Sequence, residues 1–246
     1  MKTNKYQRRF YRDWVNSKSL YLSHIVVEET DLQIFSNKIL DKDFVKNKIN
    51  SYRRDIEGYI AKDRRFLTTL KPIAVELHAA PIVKKMAEAA CLANVGPMAA
   101  VAGAIAEFLG RGLLRKGYKD IIIENGGDIF LAVRKNYRIG IYAGESFRLS
   151  KGLKLKIRPE DTPLGVCTSS GSVGHSLSFG LADAVTILSK NASLADAAAT
   201  AVANRVKSAQ DLQKAVDFAK SIKGVSGVVI IIKGCLASWG RVEFVT

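Results

Sequence analysis

Cysteine is scarce in this chain: Cys91, Cys167 and Cys235 are odd in number and widely spaced. That spacing offers neither a disulfide framework nor a zinc knuckle, and three reduced thiols are expected. Long apolar runs are also missing. The segment Met1–Phe10 is basic, but no unbroken apolar core follows it, so no signal peptide or lipoprotein signal is read there and a cytoplasmic location is expected. The best candidate for a membrane span, Pro97 to Leu114, is interrupted by Glu107 and Arg111 and built from small residues, which makes it a buried helix rather than a span. Acidic residues are outnumbered, 23 to 38, leaving a formal charge of +15. Such a balance favours anionic partners without choosing among them. No aromatic platform accompanies the basic residues Lys46, Lys48, Arg53, Arg54, Lys62, Arg64 and Arg65, so they are read as a wet helix face in preference to a nucleic-acid groove. No internal repeat and no low-complexity linker divides the chain, and residues 1–246 are expected to form one unit.

What is present is enough apolar residue, 48%, to bury a substantial core. Tyr6–Val15 and Ser19–Phe35 read as strands of a meander. From Asp41 to about Leu70, Phe44, Val45, Ile49, Tyr52, Ile56, Tyr59 and Ile60 recur at three- and four-residue steps, predicting an amphipathic helix. Pro81–Asn94 and Pro97–Lys116 form an alanine-rich helical pair. Ile121–Glu124 and Ile129–Arg134 flank Asn125-Gly126-Gly127-Asp128 as a hairpin, and Tyr137–Tyr142 and Leu153–Arg158 continue the same sheet. After a turn over Cys167–Gly174, His175–Ser189 supplies a strand, Ser193–Val206 and Asp211–Ile222 are helices, and Val225–Ile232 pairs with Cys235–Phe244. The fold class is α+β, a layered fold with a mixed, largely antiparallel sheet and packed helices. An exposed apolar helix layer would be covered in a homodimer.

Three segments can carry chemistry. In Asn125-Gly126-Gly127-Asp128 the two glycines permit close backbone approach to a phosphate or ribose, although a plain hairpin explains them too. Cys167-Thr168-Ser169-Ser170-Gly171-Ser172-Val173-Gly174-His175 gathers hydroxyls and free amides suited to an anion or nucleotide; His175 titrates in the range of a general acid or base, and a serine-rich surface turn is the plain alternative. Cys167 would be a nucleophile only as a stabilised thiolate, and a small buried thiol is the simpler reading. In Ala195-Asp196-Ala197-Ala198-Ala199-Thr200, Asp196 and Thr200 lie four apart and share a helix face, two hard oxygen donors that suit Mg²⁺ with open positions left for phosphate. The competing reading makes Ser193-Leu194-Ala195-Asp196 a capping box. Asp183 is a further acid before an apolar strand, and Asn94-Val95-Gly96-Pro97 offers amides at a helix start.

In order, Asn125-Gly126-Gly127-Asp128, Thr168-Ser169 with Gly171, His175, and Ala195–Thr200 resemble the successive motifs of ApbE-type FAD:protein FMN transferases. Val95–Gly103 and His175–Gly180 are similar to the uncharacterised branch of the ApbE superfamily. The resemblance runs from about Asn94 to Asn204. It implies an ApbE-like layered fold and an enzyme that binds FAD, or another phosphorylated nucleotide, with Mg²⁺, passing FMN to a threonine or serine of a protein acceptor. Asp196 and Thr200 match the metal-holding residues, His175 a histidine beside the flavin, and Asp196 and His175 would be catalytic. Two departures stand out. The Asp-Pro-x-Thr-Gly segment that follows the histidine is replaced by Ser178-Phe179-Gly180-Leu181-Ala182, and Gly103 stands where a helix normally presents an aspartate to FAD. Two alternatives stay open: a role in sulfur assimilation toward homocysteine, with Cys167 as carrier, and a ligand-binding protein that has lost transfer chemistry.

Overall fold

The computed structural model describes residues 20–143, 153–170 and 180–245. Two strands, β1 (Tyr21–Val27) and β2 (Thr30–Ser36), lead into α1 (Lys42–Lys62) and the short α2 (Arg65–Thr68). The apolar stripe of α1 buries Val45, Ile49, Ile56 and Tyr59, and the Asp41 carboxylate caps it by accepting from the Phe44 amide at 3.0 Å. Its basic residues Lys46, Lys48 and Arg54 are exposed, as are Lys62, Arg64 and Arg65. Next come α3 (Pro81–Ala93), a 3₁₀ turn at Pro97–Ala100, and α4 (Val101–Arg115). By length and hydropathy Pro97–Arg115 could cross a membrane, but it is mostly buried within the fold.

The remaining elements are β3 (Ile121–Asn125), β4 (Asp128–Ala132), β5 (Tyr137–Gly140), β6 (Lys154–Ile157), β7 (Leu164–Ser169), β8 (Ala184–Ser189), α5 (Ala192–Ala203), α6 (Leu212–Ser221), β9 (Val225–Ile232), β10 (Cys235–Gly240) and β11 (Phe244–Val245). Eight strands form one sheet in the order β1-β2-β3-β4-β7-β8-β9-β10, every neighbour antiparallel. A second sheet, β11-β6-β5, packs on one face, and the helices cover the other. Burial on both faces explains why β3 reads Ile-Ile-Ile rather than alternating. Strand alternation then assigns sides. Ile121, Ile123, Phe130, Cys167 and Ile187 join the helix-side core, while Ile122, Ile129, Leu131, Val166 and Leu188 pack toward the small sheet.

The layered α+β architecture is the expected one, and several boundaries differ from the sequence reading. The helix expected to reach Leu70 stops at Lys62 because Asp63 turns extended and its carboxylate binds the amide and guanidinium of Arg65. Tyr137–Tyr142 and Leu153–Arg158 do pair with each other, but in the small sheet rather than the main one. Cys167, Thr168 and Ser169 are not a turn; they end β7, where all three pair with β8 and Cys167 pairs with β4 as well. Strand β8 begins only at Ala184. The last expected strand divides at Gly240, where φ is +88°, and Phe244–Val245 crosses to the small sheet. Tyr6–Val15 lies outside the described residues.

Candidate functional site

One row across the main sheet breaks the apolar pattern on the helix side. The register pairs Leu32 with Asn125, Asn125 with Asp128, Asp128 with Cys167, and Cys167 with Ile187. Three consecutive members of that row are therefore polar or thiol, and they face the place where α4 and α5 cross. Asn125 donates its side-chain amide to the Ala102 carbonyl at 3.1 Å. The Cys167 thiol lies 3.4 Å from the Ala192 carbonyl. Ser169, two residues along β7 on the same face, is buried, and its hydroxyl has no partner among the described residues. Such an orphan group is uncommon in a folded chain.

Asp196 enters this junction from α5, whose twelve residues are all buried. Its Oδ2 accepts from the Gly103 amide at 2.9 Å, and the Ala102 amide also donates to it. These are amides of the first turn of α4, whose own cap position, Ala100, has no side-chain acceptor. Glu107 of α4 returns the favour: its Oε2 accepts from the Ser193 amide at 3.2 Å and hydroxyl at 2.9 Å, and it pairs with Arg111. Ser193 is thus committed to Glu107, and the helix starts at Asn191 without a side-chain cap, so the capping box expected at Ser193–Asp196 does not form. Asp196 caps the neighbouring helix instead. The close crossing requires Gly103: a Cβ there would overlap the Ala192 carbonyl and come within 2.8 Å of the Asp196 Cβ.

Burial governs the charges. It pushes the Asp196 carboxyl from 3.8 up to about 7, against the pull of the Gly103 and Ala102 amides. Burial, then the charge of Asp196, raise Asp128 well above its ordinary value, opposed by hydrogen bonds from Cys167 and the Thr168 amide. The Cys167 thiol is likewise driven up, by burial first and by Asp128 and Asp196 after it. Cys167 is a protonated, enclosed thiol rather than a nucleophile.

The other sequence-singled residues fall on the opposite side. Gly126 and Gly127 form the β3–β4 turn with φ of +68° and +105°, the double positive pair that a two-residue hairpin requires, and the Gly127 amide donates to Glu124 Oε1 at 2.8 Å. They, Thr168 and Ser170 line a cleft between the two sheets, walled by Ile129, Ile139, Ile141 and Val166. The Thr168 and Thr186 hydroxyls bond each other there at 2.9 Å. Asn125, Asp128, Ser169, Asp196 and Thr200 belong to the helix side; the Gly126–Gly127 turn sits at the sheet end between the two halves. Gly171 and His175 lie outside the described residues. Asp183 is structural: its carboxylate accepts from the Lys233 amide at 2.6 Å and holds the β9–β10 turn. Asn94 ends α3 in the left-handed conformation, and Gly96 is packed against the Thr69 carbonyl, so that loop presents no open anion cradle. Sequence reasoning missed the Asp128–Asp196 pairing, Glu107, Thr186 and the isoleucine walls. Strand parity within Asn-Gly-Gly-Asp was the available signal for the first. Among the described residues, no three of His, Cys, Asp and Glu are grouped to hold a metal ion.

This arrangement, helices on one face of a large antiparallel sheet and a small sheet on the other, matches the fold of solved ApbE flavin transferases. The chain is similar to the flavin transferase ApbE from Vibrio cholerae, with a TM-score of 0.59 and 14% identity over 90% of this chain and 97% of that one. The apo flavinyl transferase ApbE of Pseudomonas stutzeri gives 0.57 and 11%, over 90% and 94%. By sequence, the chain belongs to the family whose model is described as AbpE bacteria, which it matches over residues 12–238. Its relatives include the UPF0280 protein of Methanocaldococcus jannaschii, 42% identical over 90% of this chain and 91% of that protein. Another, from Methanocella arvoryzae, is 47% identical over 77% and 76%.

Proposed function

We propose that this protein binds a flavin dinucleotide, FAD or a close phosphorylated relative, together with Mg²⁺, in the manner of the flavin transferases whose fold it shares. The observation that carries the reading is the buried junction of α5 with the sheet. Among the described residues, no cationic side chain pairs with Asp196 or Asp128 and the Ser169 hydroxyl has no partner, and Thr200 stands one turn from Asp196. Hard oxygens of this kind fit Mg²⁺. Bound there, the ion would neutralise phosphate charge and polarise the group being transferred.

The chain's own residues divide the remaining work. The Gly126–Gly127 turn lets backbone come close to a ligand at the mouth of the cleft. Ile129, Ile139, Ile141 and Val166 form apolar walls suited to a ring system, and Thr168, Thr186 and Ser170 supply the few hydroxyls that orient it. Asp196 keeps the start of α4 in register while its carboxylate faces the site. The reaction proposed joins a protein hydroxyl oxygen to the flavin-side phosphorus of FAD while the pyrophosphate P–O bond breaks, so that FMN stays on the acceptor, AMP leaves, and His175 takes the hydroxyl proton. A second reading, ligand binding without transfer, is favoured by Gly103: contact with α5 leaves no room at that position for an aspartate directed at the ligand. The sulfur-carrier alternative loses its reactive group, since Cys167 is enclosed and protonated.

Titration of the purified chain with FAD, followed by flavin fluorescence and calorimetry with and without Mg²⁺, tests the reading. Binding that requires Mg²⁺ and is lost in Asp196→Ala is expected. Failure of the wild-type chain to bind FAD under either condition would refute it, and binding without FMN transfer to any hydroxyl acceptor would select the second reading.

A further inference from the structure

Asp128 belongs in sequence to the glycine turn, yet its side chain does not serve the cleft that the turn borders. Alternation along β4 sends Ile129 to the cleft and puts Asp128 with Phe130 on the helix face. There it lies between Asn125 and Cys167, which touch Ala102 and Ala192, the points where α4 and α5 meet around Asp196. Asp128 is 7% exposed, Asp196 9% and Ser169 6%. Burying two ionised carboxylates together is costly unless a positive charge joins them, and without one they are held partly protonated. Among the described residues no Lys, Arg or His pairs with either, and Ser169 adds an unpartnered hydroxyl on the same sheet face.

We propose that Asp128 is a direct ligand of the divalent cation held by Asp196 and Thr200, with the Ser169 hydroxyl as a neutral oxygen beside it. This rests on the metal reading above and extends it from one sequence motif to two. Two carboxylates balance a doubly charged ion fully, whereas a monovalent ion would leave a buried negative charge. The site therefore selects divalent cations and takes one up before any nucleotide supplies phosphate oxygens.

The test uses the full chain without nucleotide, stripped with chelator. Mn²⁺ binding is read by electron paramagnetic resonance, and Mg²⁺ binding by the rise in Tm. Wild-type protein is expected to bind Mn²⁺, and Asp128→Asn to bind it at least about tenfold more weakly. In chelator, Asp128→Asn should melt no lower than wild type, because one buried carboxylate has gone and the shape is kept, while its Mg²⁺-induced rise in Tm should shrink. A purely structural Asp128 would give the reverse: a lower Tm and unchanged Mn²⁺ affinity. Equal binding by wild type and Asp128→Asn, with loss in Asp196→Asn, overturns the assignment of Asp128 and leaves the metal reading standing. No Mn²⁺ binding by wild-type protein overturns both.

Discussion

Asp196 makes the stability of the cation-free protein depend on pH in a direction opposite to that of most carboxylates. Its folded value is about 7, against an ordinary 3.8. Between those values the folded chain keeps a proton that the unfolded chain has released. Raising the pH through the window therefore favours unfolding, with a limiting slope of one proton. Across the window this amounts to about 4 kcal/mol, absent below roughly pH 4 and complete above roughly pH 7. Urea unfolding of wild type and Asp196→Asn in chelator, at intervals from pH 4 to 8, measures it. Asparagine retains an oxygen for the Gly103 amide but has nothing to ionise, so the difference in unfolding free energy between the two proteins should fall steadily as pH rises. Asp128, also raised, acts in the same direction in wild type. A constant difference across the range, or wild type gaining on the variant with rising pH, would refute the reasoning. Millimolar Mg²⁺ should flatten the wild-type curve.

Gly103→Ala places a methyl against the Ala192 backbone and the Asp196 Cβ; overpacking should destabilise the chain by about 1–3 kcal/mol, seen as a lower urea midpoint. Iodoacetamide on the native protein should modify the exposed Cys91 and Cys235 and spare Cys167, with mass spectrometry locating the adducts. Gly126→Ala forces a side chain into left-handed backbone with open space around it, so it should cost about 1 kcal/mol in urea unfolding without disturbing the core. Glu107→Ala leaves Arg111 unpaired and removes the acceptor at the start of α5; a loss of roughly 3 kcal/mol is expected from thermal melts.

Local patterns were the readable part of this sequence. The three- and four-residue steps of α1, the proline starts, and Asn-Gly-Gly-Asp between apolar runs each record an interaction within a few residues, and each gives an element there, although α1 stops at Lys62 and the Pro97 start is a 3₁₀ turn before α4. Strand β7 was hidden because Thr168 and Ser169 look like turn residues; one lines the cleft, bonded to Thr186, and the other faces the polar junction, so neither carries the apolar signature of a strand. Membership of the small sheet was equally illegible, since Tyr137–Gly140 and Lys154–Ile157 alternate as any strands would. For the site, the spacing of Asp196 and Thr200 pointed to a shared helix face, but the nearer in sequence of the two amides that bond Asp196, that of Gly103, is 93 residues away in the chain. Contacts of that range leave no trace in a local window.

The exchange of caps between α4 and α5 has a consequence for the order of events during folding. Neither helix has a side-chain cap of its own, and each depends on a carboxylate from the other, Asp196 for α4 and Glu107 for α5. A nascent chain released only as far as β8 contains all of α4 but not the carboxylate that accepts from its Ala102 and Gly103 amides. In such a truncated chain the start of α4 should exchange its amide hydrogens freely, and acquire protection only when α5 is added, the two helices ordering as one kinetic step.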